Sequence, residues 1–132
     1  MRYNGLGGFA WTTEKGEQTV LIQEYVDVNP VRYGEGIEKR VVFGPKQGAP
    51  TFVMRVFDLP PGTSSPYHGH DWEHEVFVLK GAGVAVTEEG ETAIGPEDAI
   101  LVLPDEVHCF RNTGDDIFRF ICLVPLRGED TP

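Results

Sequence analysis

The sequence predicts an all-β protein with a single domain, on three observations. Eight short apolar runs, rich in Val, Ile and Phe and each the length of one strand, follow one another along the chain. Sixteen glycines and ten prolines punctuate these runs with turn sequences such as KGAG, GPED and NTGDD. No segment keeps a helical periodicity. For 132 residues, this pattern predicts one sandwich or barrel around one core.

The predicted elements divide the chain into an N-terminal arm, a barrel and a short tail. Residues 1–36 form the arm, whose run at 19–26 is either the first strand of the domain or a segment lying along a partner's sheet edge. Residues 37–128 form the barrel, and residues 129–132 the tail. The predicted strands are 19–26, 37–43, 51–59, 74–80, 83–88, 99–103, 107–112 and 117–124.

Composition and charge exclude several classes of partner. The net charge is −10, with 21 acidic against 11 basic residues, which argues against nucleic acid or an anionic membrane. No apolar run approaches the length of a membrane span. The N-terminal sequence lacks a basic-then-apolar signal pattern, and the two cysteines lack zinc-finger spacing. We therefore expect a cytoplasmic protein with reduced thiols.

The segment YHGHDWEHEVFVLKG holds three of the four histidines, His68, His70 and His74. Side chains alternate between the two faces of a strand, so an extended segment points these even-numbered residues to one side. Glu73 and Glu75 then point to the other side, where they would have no acid or base role.

The clustering of histidines predicts a metal site. A lone histidine on an apolar face is usually a hydrogen-bonded core or surface residue, but three buried imidazoles without a metal need a partner for every ring nitrogen. A divalent transition metal needs three or more such donors. The fourth histidine, His108, begins another predicted strand, which a barrel can bring across from the first three.

These motifs resemble those of the cupin superfamily. Its first motif is a glycine, five residues, His-x-His, three or four residues, a glutamate, six residues and a glycine, which Gly62, residues 68–70 and Gly81 match. At the glutamate position the chain departs: a three-residue gap gives His74 and a four-residue gap gives Glu75. Counting back from Gly81 and strand parity both favour His74.

The second cupin motif is matched in part. His108 and Asn112 have the expected spacing, while Pro104 lies one residue closer to the histidine than in the motif. Glu97 and Asp105 stand where the motif has glycines. Because the overall spacing from Glu97 to His108 is kept, we expect the hairpin to close.

Over residues 39–128 the chain is most similar to small single-domain cupins with four histidines. The similarity is greatest in three segments, residues 72–81, 104–108 and 120–125. The resemblance implies a double-stranded β-helix, which is a jelly-roll-like barrel. It also implies a homodimer and one divalent transition metal per chain, held by His68, His70, His74 and His108. Manganese or iron is expected first, with zinc, nickel or copper as further guests.

The resemblance also places Phe120 and Cys122 toward the metal pocket, in agreement with strand parity. Cys122 is either a small buried apolar residue or a chemical group. Arg55, mid-strand in FVMRVF, lies either at a dimer surface or in the pocket as an anion anchor, and we favour a structural role. Tyr67 and Trp72 flank the histidines near the expected pocket mouth, where we favour packing over substrate stacking.

Four neutral imidazoles would leave the metal charge uncompensated and two neighbouring positions open. Such a site suits a small bidentate anion: an enolate, catecholate, 2-oxo acid or sugar acid. We expect a metal-dependent enzyme, dioxygenase-like or acting on a small carbonyl acid. The alternatives are a non-catalytic module that binds a sugar or metabolite, and a metal that only holds the barrel together. No catalytic residue can be assigned from the sequence.

Overall fold

The structure is a computed structural model that describes residues 9–12 and 18–129. It confirms the all-β prediction, because the described residues form antiparallel strands and one short α-helix. The elements are β1 (Phe9–Thr12), β2 (Gln18–Ile22), β3 (Val31–Tyr33), β4 (Ile37–Phe43), β5 (Phe52–Leu59), β6 (His74–Lys80), β7 (Gly83–Thr87), β8 (Gly90–Ile94), β9 (Ala99–Val102), β10 (His108–Asn112), β11 (Phe118–Pro125) and α1 (Leu126–Glu129). Single 3₁₀ turns cover Tyr25–Asp27 and Pro45–Gln47.

The barrel is built from two antiparallel sheets. The larger sheet has the strand order β3-β4-β5-β11-β6-β9 and the smaller has the order β10-β7-β8, while β1 pairs with β2 alone. Phe110 on the smaller sheet and Phe120 on the larger pack with ring centroids 5.2 Å apart. The two sheets therefore face each other across one core.

The core follows the alternation of side chains that the sequence predicts. Along β11, Phe118, Phe120, Cys122 and Val124 are buried and the residues between them are only partly covered. Phe118 is fully buried, and burial of one such side chain contributes about 1.5–3 kcal/mol. On β6, His74 is buried like Val76 and Val78, so the predicted inner face is confirmed.

The sheet begins earlier than the predicted barrel boundary at residue 37. Strand β3 pairs with β4, and β2 pairs with β1 of the same chain. The Tyr25 hydroxyl donates a 2.8 Å hydrogen bond to Asp58, and Gln23 donates one to the Val42 carbonyl, so this part of the arm docks on its own barrel. The rest of the arm and residues 130–132 of the tail lie outside the described residues.

Two turns near the second motif have left-handed backbone at residues that are not glycine. Glu97 has φ 73° and Asp105 has φ 67°, and both stand at positions where the cupin motif has glycine. The turns keep the shape that glycine would give. The expected hairpin between Glu97 and His108 is not formed, because β9 pairs with β6 in the larger sheet and β10 pairs with β7 in the smaller one. No helix in the described part of the chain is long and apolar enough to cross a membrane.

Candidate functional site

The four histidine rings gather at one end of the barrel. His74 begins β6 and His108 begins β10, while His68 forms an isolated bridge with His108 through two backbone hydrogen bonds of 3.1 Å. His70 lies in the loop between that bridge and β6. Ring centroids are 4.2 Å apart for His68–His70, 5.4 Å for His70–His74 and 5.0 Å for His74–His108. The predicted set is therefore brought together.

Two of the rings have a nitrogen that is left available by their hydrogen bonding. His108 Nδ1 lies 2.9 Å from the Glu106 carbonyl oxygen, which can only accept, so Nδ1 carries the hydrogen and Nε2 keeps its lone pair. His74 Nδ1 lies 3.5 Å from Cys122 Sγ, and its buried Nε2 has no hydrogen-bond partner. A buried polar atom without a protein partner is free to bind a metal, a ligand or a water.

The donor chemistry fits a metal, although the rings do not form a finished coordination shell. Nε2 of His68 and Nε2 of His70 are 3.2 Å apart, close to the spacing of about 3 Å between adjacent ligands with bonds of about 2.1 Å. Within residues 9–12 and 18–129, no group of three or more His, Cys, Asp and Glu side chains has the arrangement of a metal-binding set. The four-histidine ligand set stays a prediction.

Burial favours the neutral form of the His68, His70 and His74 imidazoles. It lowers the pKa of His74 from 6.5 to about 3, with the positive charge of Arg55 as the second cause. The pKa values of His68 and His70 are also lowered, again chiefly by burial. Since a metal binds the neutral ring, the site favours the protonation state that coordination requires.

A cavity of about 70 Å³ adjoins the four rings. Trp72 stacks on His70 at 4.5 Å with the planes 4° apart, which is the packing role favoured from the sequence. Gly128 in α1 closes against this indole, because a Cβ there would lie 2.8 Å from Trp72 Nε1. The other lining residues are Tyr33, Lys39, Arg55, Phe57, Ser65, Pro66, Phe110, Phe120 and Cys122.

Arg55 lies at the pocket and not on an exposed surface, which were the two positions considered for it. Arg55 is 6% exposed, and its Nη2 donates to Cys122 Sγ at 2.9 Å. Its guanidinium also lies 5.0 Å from the centre of the Phe57 ring. Arg55 is thus a buried cation beside the histidines, and its role, structural or as an anion anchor, stays a prediction.

Tyr67 requires a correction. It was placed at the pocket, but it is 51% exposed and does not line the cavity. It lies in a loop, where strand alternation does not apply. Glu73 and Glu75 are exposed, as predicted.

Sequence reasoning missed two charged residues of the site, Lys39 and Glu129. Lys39 Nζ lies 2.7 Å from Glu129 Oε2, and Arg55 Nη1 lies 3.5 Å from Glu129 Oε1. Lys39 lies two residues after the buried Ile37 on β4, so strand alternation points its side chain to the same inner face. A charged residue on an inner face, as at Arg55, could therefore have been found from the sequence. Glu129 follows the last strand and had no comparable signal.

Comparisons with known proteins agree with this architecture. A family model described as Cupin domain matches residues 55–124. The solved structure of the polyketide cyclase RemF from Streptomyces resistomycificus is 29% identical, with a TM-score of 0.76 over 82% of this chain and 80% of that one.

Two curated relatives share shorter stretches. The 1-methylthio-D-xylulose 5-phosphate methylsulfurylase of Rhodospirillum rubrum is 32% identical over 74 residues, 56% of this chain and 47% of the relative. The oxalate-binding protein of Thermotoga maritima is 32% identical over 69 residues, 52% of this chain and 57% of the relative. The chain spans about half the length of these two relatives, whose names differ in activity. The Cupin domain model covers residues 55–124, which is more than half of the chain, and by this match the chain belongs to the cupin family.

Proposed function

We propose that this protein is a metal-dependent enzyme acting on a small carbonyl acid, with one divalent transition metal held by His68, His70, His74 and His108. The observation that carries the proposal is the buried Nε2 of His74, which has no partner although three other imidazoles stand around the same cavity. A neutral nitrogen in that position is what a metal ligand offers. Manganese or iron is our first choice of metal.

The size and charge of the cavity support a small anionic substrate. About 70 Å³ is space for roughly five water-sized groups, which suits an acid with a few non-hydrogen atoms. Arg55 and Lys39 line the cavity and favour negative charge. When bound, the metal would supply Lewis-acid polarisation of the substrate oxygens and, with manganese or iron, access to dioxygen chemistry.

The chain's own residues orient and shield the substrate in this proposal. The aromatic side chains of Phe57, Phe110 and Phe120 line the cavity and exclude water from it. The stack of Trp72 on His70 fixes the His70 ring. The Glu106 carbonyl fixes that of His108. Because these supports are packed or hydrogen-bonded, the nitrogens are positioned before any ligand arrives.

One observation favours the second candidate, a cupin that binds a small molecule without turnover. Among the described residues that line the cavity, none is a carboxylic acid, and the carboxylate of the nearby Glu129 is paired with Lys39, so the site lacks a free general base. The relative from Thermotoga maritima is likewise named for binding a small molecule, oxalate, and not for a reaction. The two candidates differ in turnover and share the metal.

Metal content tests the shared part of the proposal. Protein purified without added metal should carry about one transition-metal ion per chain by elemental analysis. His74→Ala should lose most of this metal, and Glu75→Ala, one residue away and exposed, should keep it. The reverse result, or protein that stays metal-free after incubation with manganese, iron, nickel and zinc, would end the proposal.

Turnover separates the two candidates. Metal-loaded protein is assayed against 2-oxo acids, catechols, flavonols and 1,3-diketones, with oxygen uptake and product formation recorded with and without air. Product that requires oxygen supports the dioxygenase-like form, and product in its absence supports Lewis-acid chemistry on the carbonyl. Tight binding of an acid without any product supports the binding module.

We also propose that the protein is a homodimer. Phe77 and Leu79 on β6, Leu101 on β9 and Leu103 just after β9 are between 42% and 58% exposed. They adjoin partly covered Ile121 and Leu123 on β11. This sheet face is apolar apart from Glu75, which lies opposite Leu101, and such a face suits association with a second copy. Light scattering should give twice the chain mass, and Leu101→Lys should give a monomer that still binds metal; a wild-type monomer at high concentration would refute the dimer.

A further inference from the structure

Arg55 is a buried cation that makes no close ion pair, since its nearest carboxylate oxygen among the described residues, on Glu129, lies 3.5 Å away. Its contacts to oxygen, from Nε to the Cys122 carbonyl and from Nη1 to Glu129, are both 3.5 Å. Its short contact, 2.9 Å, goes to the thiol of Cys122, which is a weak acceptor. A paired guanidinium normally holds a carboxylate at about 2.7–2.9 Å through two parallel hydrogen bonds. Arg55 therefore has donor capacity that an incoming anion could use.

Glu129 holds the position that such an anion would take. One carboxylate oxygen lies 2.7 Å from Lys39 and the other 3.5 Å from Arg55. Lys39 and Arg55 both line the histidine cavity, as does Gly128, the neighbour of Glu129. The place between the two cations is thus continuous with the place where a substrate would meet the rings.

Glu129 is the last residue of the short helix α1. The helix itself is held on the barrel, because Leu126 packs against the core and Arg127 pairs with Asp71. The polar contacts of the Glu129 side chain are those with Lys39 and Arg55. A rotation of this side chain about its own bonds therefore frees the carboxylate without moving the helix, breaking a strand or opening the core.

We propose that Glu129 is a displaceable internal carboxylate, and that a small carboxylic acid binds by replacing it between Arg55 and Lys39. This inference rests on the proposed function and narrows its substrate class to acids whose carboxylate has a carbonyl or hydroxyl oxygen next to it. The carboxylate would take the position between the cations, and the neighbouring oxygen would face the histidines. The exchange leaves the charge between the two cations unchanged.

Binding of pyruvate tests the exchange. By isothermal titration, Glu129→Gln should bind pyruvate about tenfold more tightly than wild type, because the competing carboxylate is gone. The gain should vanish in Glu129→Gln combined with Arg55→Gln. Butane-2,3-dione, a neutral counterpart of pyruvate, should bind both proteins equally. Glu91→Gln is the matched control, because Glu91 forms an exposed ion pair with Arg111 on the other sheet.

The outcomes separate this inference from the proposed function. If Glu129→Gln keeps the wild-type melting temperature but binds pyruvate no more tightly, the exchange is wrong even where metal and turnover are found. If the protein never binds metal but Glu129→Gln still gains affinity for pyruvate, the proposed function fails and the exchange stands. Should Glu129→Gln not fold, Glu129→Asp, which shortens the reach to both cations, should give a smaller gain, and its absence would refute the exchange.

Discussion

The Cys122 sulfur lies 3.5 Å from Nδ1 of His74, the ring nitrogen that a metal bound through Nε2 would leave protonated. Burial raises the pKa of the Cys122 thiol, so the sulfur stays neutral and can accept that hydrogen. The same sulfur accepts from Arg55 at 2.9 Å. Cys122 thus joins the candidate metal ligand to the candidate anion anchor.

Replacement of this thiol should weaken metal binding without removing a ligand. Loss of a group that hydrogen-bonds a metal-binding imidazole lowers metal affinity about tenfold to a hundredfold. Cys122→Ala should therefore bind metal more weakly by that factor, measured in competition with a chromophoric chelator. Cys109→Ala, which removes the other buried thiol, should change affinity much less. Equal losses in the two variants would mean that the thiol at 122 acts through packing alone.

The lowered pKa of His74 predicts how the metal-stripped protein responds to acid. The unfolded chain binds a proton at this ring near pH 6.5, whereas the folded protein binds it only near pH 3. The unfolded state therefore holds more protons below pH 6.5, and the stability present above that pH declines as the pH falls. The lowered pKa values of His68 and His70 act in the same direction.

Urea unfolding of the metal-stripped protein between pH 7.5 and 5 checks this, because carboxylates titrate mainly below that window. The unfolding midpoint should fall steadily on acidification. His74→Gln, whose side chain does not titrate, should flatten the curve. A midpoint that stays constant in wild type across this range would contradict the burial of a neutral ring.

Replacement of Asp58, which lies outside the histidine site, should lower the free energy of unfolding strongly. The buried Asp58 carboxylate accepts from Tyr25 at 2.8 Å, Arg40 at 3.2 Å and Arg119 at 2.6 Å. Asp58→Asn leaves Arg119 without its anion and leaves Arg40 with only the exposed Glu38, so it should cost about 3 kcal/mol in urea unfolding. Asp71→Asn, in an exposed pair with Arg127, should change stability by about 0.5 kcal/mol or less. Similar small effects for both would show that the Asp58 cluster contributes little.

Strand alternation accounts for what the sequence could predict of the site. Parity, together with the cupin motif, indicated that His74 and Cys122 point inward, and both are buried. Parity also grouped Arg55 with Val53 and Phe57, but it cannot say which face of a strand is covered. That depends on which strands become neighbours, which is a tertiary property.

Residues outside regular strands escaped this reasoning for the same physical cause. Tyr67 lies in a loop and turns outward, where no alternation constrains it. Glu129 follows β11 in what the sequence suggests is a tail, and reaches Lys39, 90 positions away. Its place comes from the docking of α1 on the barrel, and no local pattern encodes that.

The left-handed backbone at Glu97 predicts a substitution that stabilises the barrel. At φ 73°, a residue with a Cβ pays about 1–2 kcal/mol of steric strain, which glycine avoids at a cost of about 0.5–1 kcal/mol in chain entropy. The Glu97 side chain is exposed, and its backbone N–H, which donates to the Val78 carbonyl at 2.9 Å, is unchanged in glycine. Glu97→Gly should therefore raise stability by up to about 1 kcal/mol in urea unfolding. Glu88→Gly is the control, because Glu88 lies in an exposed turn where φ is not positive, and it should lower stability. The two variants should therefore change the free energy of unfolding in opposite directions. A loss of stability in both would contradict the strain at Glu97.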